Sequence, residues 1–456
     1  MFLLSPDCRK EAIVREQWGS RVGFIVATIG AAVGLGNIWR FAYIAGENGG
    51  AIFLLVYIVL VVLIGLPLVI AELAIGRRGG GDAVAAFENG HRGSLWRYAG
   101  WLGVVGAALI LSYYAVIAGW AFKYFTGAAS GGLWRVAQDS FGGYFDRFIA
   151  GTFEPVIWQA VMLGASAVVV ARGVKGGIER ISLWLMPVLA LIVIGLAAYS
   201  LSLPGAGKGV SFLFAPDWSA LSRPSVYLNA LGQAFFSLGV GMAVFVTYGS
   251  YLGRDTRIPG SAAAIAVGDS LFAIVAGLAI FPAVFALGGD PAAGPRLAFI
   301  TFPQVLLQMT GGAWIGTVFF LLLAAAALTS MISLLEVSVA VAVERLGMSR
   351  ARAALVISGV IFVLGVPSAL SHGVLTEWKL GGKPLLDAID HAVSNFVLPA
   401  CGLAIAIYAG WRLSPSVSVA SADLDASRLG LVWLWLLRLG VPLTIVVILL
   451  RTLQVL

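Results

Sequence analysis

The sequence predicts an all-α polytopic membrane protein of about eleven transmembrane helices, built as a 5+5 inverted repeat in which helices 1 and 6 are broken. Three observations predict it. Hydrophobic residues make up 60% of the chain and charged residues only 11%, a balance that soluble domains do not show. Apolar runs of about 20 residues, enough to cross a bilayer, recur along the whole chain. Two of them, the first and the sixth, are interrupted by glycines near mid-depth.

The runs lie near 22–43, 52–76, 98–125, 156–172, 178–200, 226–252, 261–288, 313–343, 352–371, 385–411 and 429–451, the fourth being short. Charge orients them. With the N-terminus inside, the inner segments hold roughly twice as many Lys and Arg as the outer ones, as the positive-inside rule requires. The net charge of +7 therefore reads as orientation and not as nucleic-acid binding. MFLLSPDCRKEAIVREQW is too polar for a cleaved signal peptide. Cys8 and Cys401 are far apart, and His91, His372 and His391 are scattered, so neither a disulfide nor a metal site is expected. GAGKGVS (Gly205 to Ser211) lacks phosphate-loop spacing.

The first run contains GAAVGLGNIWRF, Gly30 to Phe41. Gly34 and Gly36 weaken a helix by up to about 1 kcal/mol each, and Arg40 inside a membrane costs a few kcal/mol unless paired or wetted. GxxxG packing of Gly30 and Gly34 would explain part of this composition. A broken helix explains all of it, because freed backbone groups are tolerated in a membrane where they line a cavity. The sixth run holds FFSLGVGM, Phe235 to Met242, with Gly239 and Gly241 at matching depth. The two breaks lie five runs apart, an odd number, so the second half enters with opposite polarity. One transmembrane domain over 1–456 follows, with repeats at about 15–200 and 225–411 and a peripheral helix at about 429–451.

The eighth run carries AALTSMISLLE, Ala326 to Glu336, with adjacent hydroxyls on Thr329 and Ser330. Such hydroxyls commonly bond back to their own helix. Together with freed carbonyls they are also hard neutral oxygen ligands suited to Na⁺. Asp269, in AIAVGDSLFAI of the seventh run, is an intramembrane carboxylate and so a functional candidate.

The chain resembles the neurotransmitter:sodium symporter family (solute carrier 6 type), in its bacterial amino-acid branch with eleven helices. The residues that carry the resemblance are REQWGSRVGF (Arg15 to Phe24), GAAVGLGNIWRF, ENGGAIFLLVY (Glu47 to Tyr57), IAELAIGR (Ile70 to Arg77), SYY (Ser112 to Tyr114), GQAFFSLGVGM (Gly232 to Met242), FITFP (Phe299 to Pro303), ALTS (Ala327 to Ser330) and LLDAID (Leu385 to Asp390). The resemblance implies Na⁺-coupled uptake of a neutral L-amino acid by alternating access across a bacterial-type plasma membrane, with the N-terminus cytoplasmic. It implies no enzyme chemistry, no organic cofactor and no nucleic-acid partner; the oligomeric state stays open.

Residue by residue, the resemblance implies two sodium sites. The first would use Ala32, Asn37, Ser237 and Asp269 with the substrate carboxylate; the second would use Gly30, Val33, Ala326, Thr329 and Ser330. The substrate pocket would comprise Ala31, Ala32, Gly34, Gly36, Ile110, Tyr114, Phe236, Ser237, Gly239, Met242, Ser330 and Leu334. Monoamine carriers of the family place an aspartate where Gly34 stands, so a glycine leaves room for a carboxylate. The remaining apolar wall favours hydrophobic side chains; taurine or another small zwitterion, and a transport-inactive amino-acid sensor, are the alternatives. Gates would pair Arg40 with Asp390 outside, under a lid of Tyr114 and Phe236, and Arg15 with Glu344 inside, beside Trp18 and Tyr251. Asp269 stands where many members have asparagine, and its fixed charge would replace a bound chloride. Gly177 and Pro187 would let the cytoplasmic part of helix 5 unwind and release an ion.

Overall fold

The computed structural model describes residues 16–88, 94–136, 140–292, 297–308, 310–424 and 428–452. Span 1 is the helix pair Arg21–Ala32 and Gly36–Glu47, bent by 50°; span 2 is Ala51–Gly79, span 3 Arg97–Ala129, span 4 Glu154–Ala171 and span 5 Val174–Leu201. Span 6 is the pair Pro224–Leu238 and Val244–Ser250. Span 7 is Ile258–Ala286, span 8 Gly312–Leu346, span 9 Arg350–Ala369, span 10 Leu385–Arg412 and span 11 Arg428–Val447. Among the described residues nine helices are long and apolar enough to cross a membrane, the bent pair makes a tenth, and the interrupted span 6 fills the remaining expected position.

Burial sorts the spans into layers. In spans 3 and 8, 78% of the apolar window is buried, against 33–39% in spans 4, 5, 9 and 11. Spans 3 and 8 also share the most extensive helix–helix contact. They form the centre, and the four half-bare spans present their apolar side chains to lipid.

The two breaks follow from local chemistry. In span 1, Val33 leaves the helix with extended backbone, its amide still bonded to the Ile29 carbonyl at 2.7 Å. The chain resumes as a π turn, Gly36–Arg40. In span 6, Gly239 and Gly241 hold φ of +75° and +83°, the left-handed region that glycine enters without steric cost. Ala243, at φ +55°, enters it at about 1–2 kcal/mol and starts the second half-helix.

Elsewhere, span 5 is wound through Gly177 in this conformation. The segment Val174–Glu179 is a wound π turn continuous with Arg180–Leu201, which contains Pro187. Gly177 donates to the Gly173 carbonyl at 3.0 Å, and its missing side chain lets the turn lie against the Val169 carbonyl at the end of span 4. GAGKGVS opens a short helix, Gly207–Phe214, packed on span 7. Spans 9 and 10 are joined by an antiparallel ribbon, Lys379–Leu380 with Lys383–Pro384, turned at Gly381 and Gly382.

Candidate substrate and ion site

The broken ends of spans 1 and 6 meet against spans 3 and 8 around a cavity of about 30 Å³. All the expected pocket residues except Ser237 line it: Ala31, Ala32, Gly34, Gly36, Ile110, Tyr114, Phe236, Gly239, Met242, Ser330 and Leu334, joined by Leu238, Val244 and Ser333. None of these carries a formal charge. A methyl on Gly34 would press on the hydroxyls of Ser330 and Tyr114, so the glycine is required by space. Two backbone amides at the break already have partners. The Gly34 amide donates to Asn37 Oδ1 at 3.1 Å and the Leu35 amide to the Tyr114 hydroxyl at 3.0 Å. A carboxylate entering here must exchange with those contacts.

Beside the cavity lies a buried polar cluster. Asp269 accepts from Asn37 Nδ2 at 2.7 Å, from the Tyr57 hydroxyl at 2.9 Å and from Ser237 Oγ at 2.9 Å. All four side chains are essentially inaccessible. Asn37 Nδ2 also faces Ser237 Oγ and the Asp269 carbonyl, both at 3.1 Å. Three of the four proposed first-site residues therefore touch one another, coming from the second half of span 1, from span 6 and from span 7, and Ala32 ends the first half of span 1, where carbonyls lack helical partners. Ser237 belongs to this cluster, which is why it is absent from the cavity wall.

Part of the second oxygen set meets at Thr329. Thr329 Oγ1 donates to the Ala326 carbonyl at 2.8 Å and reaches the Val33 carbonyl at 3.3 Å. The position of a Gly30 side chain would lie 3.7 Å from Thr329 Cβ. Back-bonding of Thr329 to its own helix thus occurs, but the same hydroxyl also bridges to the span 1 break.

The gates differ from expectation. No ion pair joins Arg40 to Asp390 among the described residues. Arg40 Nη1 donates to Gln233 Oε1 at 3.2 Å and its guanidinium lies 4.6 Å from the centre of the Phe236 ring. Span 6 thus supplies both an amide acceptor and a π face, whereas Asp390 accepts from Ser394 at 3.2 Å. Phe236 and Tyr114 make no ring contact among the described residues, because Phe236 lies under the guanidinium and Tyr114 is held by Leu35.

At the end of the bundle where span 1 begins, Trp18 donates from its indole to the Tyr248 carbonyl at 3.1 Å and packs edge-on against Tyr248 and Tyr251. Arg15 lies outside the described residues; Glu344 accepts from the Asp82 amide at 2.5 Å. Ion pairs found in this region include Glu336 with Arg350, at 2.5 Å, and Arg345 with Asp82, at 2.9 Å, and Tyr251 donates to Glu336 at 2.7 Å. Sequence reasoning missed Glu336, although it ends the quoted AALTSMISLLE; a carboxylate in an apolar run was the available signal. It also missed Glu72 of IAELAIGR, whose fully buried carboxylate accepts from the Gly241 amide at 2.8 Å and so braces the span 6 break.

These arrangements have known counterparts. The profile of the Sodium:neurotransmitter symporter family matches residues 15–141 and 152–455. An uncharacterized sodium-dependent transporter of Bacillus subtilis, YhdH, is 39% identical over 444 residues, spanning 96% of this chain and 98% of its own. A second such transporter, from Haemophilus influenzae, is 32% identical over 95% of this chain and 97% of its own. Among solved structures, MhsT in complex with L-phenylalanine superposes with a TM-score of 0.90 at 49% identity, covering 96% of this chain and 99% of that one.

Proposed function

We propose, since the chain belongs to the sodium:neurotransmitter symporter family, that it is a Na⁺-coupled symporter importing neutral, hydrophobic L-amino acids without need for chloride. The observation that carries the substrate class is the cavity at the two breaks, walled without any formally charged side chain and closed at Gly34 to an added methyl. The likeness to MhsT, solved with L-phenylalanine, supports the same class. A cavity of about 30 Å³ is tight for a bulky side chain. Admitting a bulky side chain therefore requires Phe236 and the flexible Met242 to shift, a movement thioethers tolerate well.

Two Na⁺ are cargo in this reading. One takes the oxygens of Ala32, Asn37, Ser237 and Asp269 together with the substrate carboxylate, so ion and substrate attract each other directly. Asn37 and Ser237 then turn their oxygens from the carboxylate cluster to the cation. The other takes the carbonyls of Gly30, Val33 and Ala326 and the hydroxyls of Thr329 and Ser330, replacing the hydrogen bonds that Thr329 makes now. Asp269 supplies the negative charge that lets the first site work without an anion. Spans 1, 2, 6 and 7 rock against spans 3, 4, 8 and 9. Arg40 works the outer side with Gln233 and Phe236, pairing with Asp390 as it closes. Trp18 and Tyr251 work the inner side, where Arg15 and Glu344 meet. Loosening of the π turn at Gly177 frees the second ion inward.

The test is uptake of a radiolabelled panel of neutral amino acids plus taurine into proteoliposomes, under Na⁺ or K⁺ gradients and with chloride or gluconate. Hydrophobic amino-acid flux that needs Na⁺ and not chloride is the expected result. Taurine flux alone would overturn the substrate class, and Na⁺-dependent binding without flux would make the protein a sensor.

A further inference from the structure

Two carboxylates cross over where the chain enters span 1. Glu179, in the first turn of span 5, accepts from the Gly19 amide at 2.6 Å and the Ser20 hydroxyl at 2.9 Å. Ser20 is the N-cap of Arg21–Ala32 and accepts from the Gly23 amide at 2.9 Å. Glu179 therefore lies at the positive end of that half-helix, where an anion is stabilised. Gly23 makes the approach possible, since a methyl there would strike the Glu179 carboxylate.

The reverse contact is also made. Glu16 accepts from the amide of Val174, the first residue of span 5, and lies 3.6 Å from Arg350. Arg350 in turn donates from Nε to the Val170 carbonyl at 2.8 Å, at the end of span 4. Each segment thus covers the N-terminus of the other with its own carboxylate. None of the residues proposed for ions or substrate takes part.

We infer that Glu16 and Glu179 are positioning residues forming a reciprocal clasp, which ties the entry of span 1 to the first turn of span 5 so that the two let go only together. Through it, release of the half-helix carrying Gly30 and Val33 becomes one event with loosening of the turn that holds Gly177. The transport consequence rests on the symporter reading; the clasp itself does not.

Hydrogen exchange by mass spectrometry on the full chain in Na⁺ tests it, with Glu179→Gln, Glu16→Gln, the double variant and Gly23→Ala. Charge-assisted bonds to backbone amides are strong enough that each single change should speed exchange about ten-fold in both 19–23 and 174–179. The double variant should exchange no faster than either single one, because one event is not broken twice. Gly23→Ala, which displaces the carboxylate but keeps both glutamates, should reproduce the pattern even if a Gln variant is poorly folded. Acceleration only in the segment each carboxylate bonds, or additive effects in the double variant, would overturn the clasp. In uptake, Glu179→Gln should raise the Na⁺ needed for half-maximal flux about five-fold and leave substrate half-saturation at high Na⁺ unchanged. An equal rise in both would show a general structural defect and overturn the positioning role. If no flux exists at all, the symporter reading fails while the exchange pattern still decides the clasp.

Discussion

Asp269 receives hydrogen bonds from Asn37, Tyr57 and Ser237, all neutral groups, in a site closed to solvent. A carboxylate so placed attracts a cation, and neutral donors fix where that cation sits. Asp269→Asn should therefore lower Na⁺-driven uptake in gluconate at least about ten-fold, with chloride restoring part of it. Equal loss in both media would remove the idea that the charge replaces an anion. Asp269 was legible in the sequence as a carboxylate in an apolar run, whereas Asn37 and Ser237 came through the family resemblance. Partner choice was not legible. Arg40 has several acceptors within the reach of a long side chain, and its selection of Gln233 and Phe236 over Asp390 depends on the three-dimensional position of span 6. Glu336 and Arg350 lie on different helices, and nothing in their spacing announces the pair.

At the scale of elements, both breaks were readable from glycine at mid-run, since helix propensity and membrane cost point the same way there. Gly241→Ala should be severe: it forces a methyl into left-handed backbone at φ +83° and to within 2.8 Å of the Leu398 carbonyl. A loss of about 1–2 kcal/mol or more should appear as a lower thermal midpoint together with lost substrate binding. Gly195→Ala, on span 5 with nothing within 4 Å, should leave both unchanged, and an equal effect of the two would remove the steric argument. The state of span 5 was not legible. Glycine and proline with nine residues between them suit a helix that opens as well as one that stays wound, and the close approach of Val169 to Gly177 belongs to tertiary packing. The helix Gly207–Phe214 was hidden for a similar reason, being short, glycine-rich and stabilised by span 7.

At the scale of the molecule, hydropathy showed which segments cross but not which are central. Spans 3 and 5 are both strongly apolar, yet one is mostly buried and the other mostly faces lipid. Orientation can be tested directly. In a background without Cys8, Gly381→Cys on the ribbon after span 9 should react with a membrane-impermeant maleimide added outside. Ser349→Cys, between spans 8 and 9, should react only after permeabilisation. The reverse pattern would invert the molecule. The Asp269 carboxylate, bonded into the wall of the protein, has an electrical consequence. A carrier that moves a bound chloride with its cargo cancels one of two sodium charges. A counter-charge that stays behind cancels none, so the proposed cycle of two Na⁺ and a zwitterion displaces two elementary charges. At about 2.3 kcal/mol per charge per 100 mV, the membrane potential then contributes about twice the work per turnover, and the transport current should steepen accordingly with voltage.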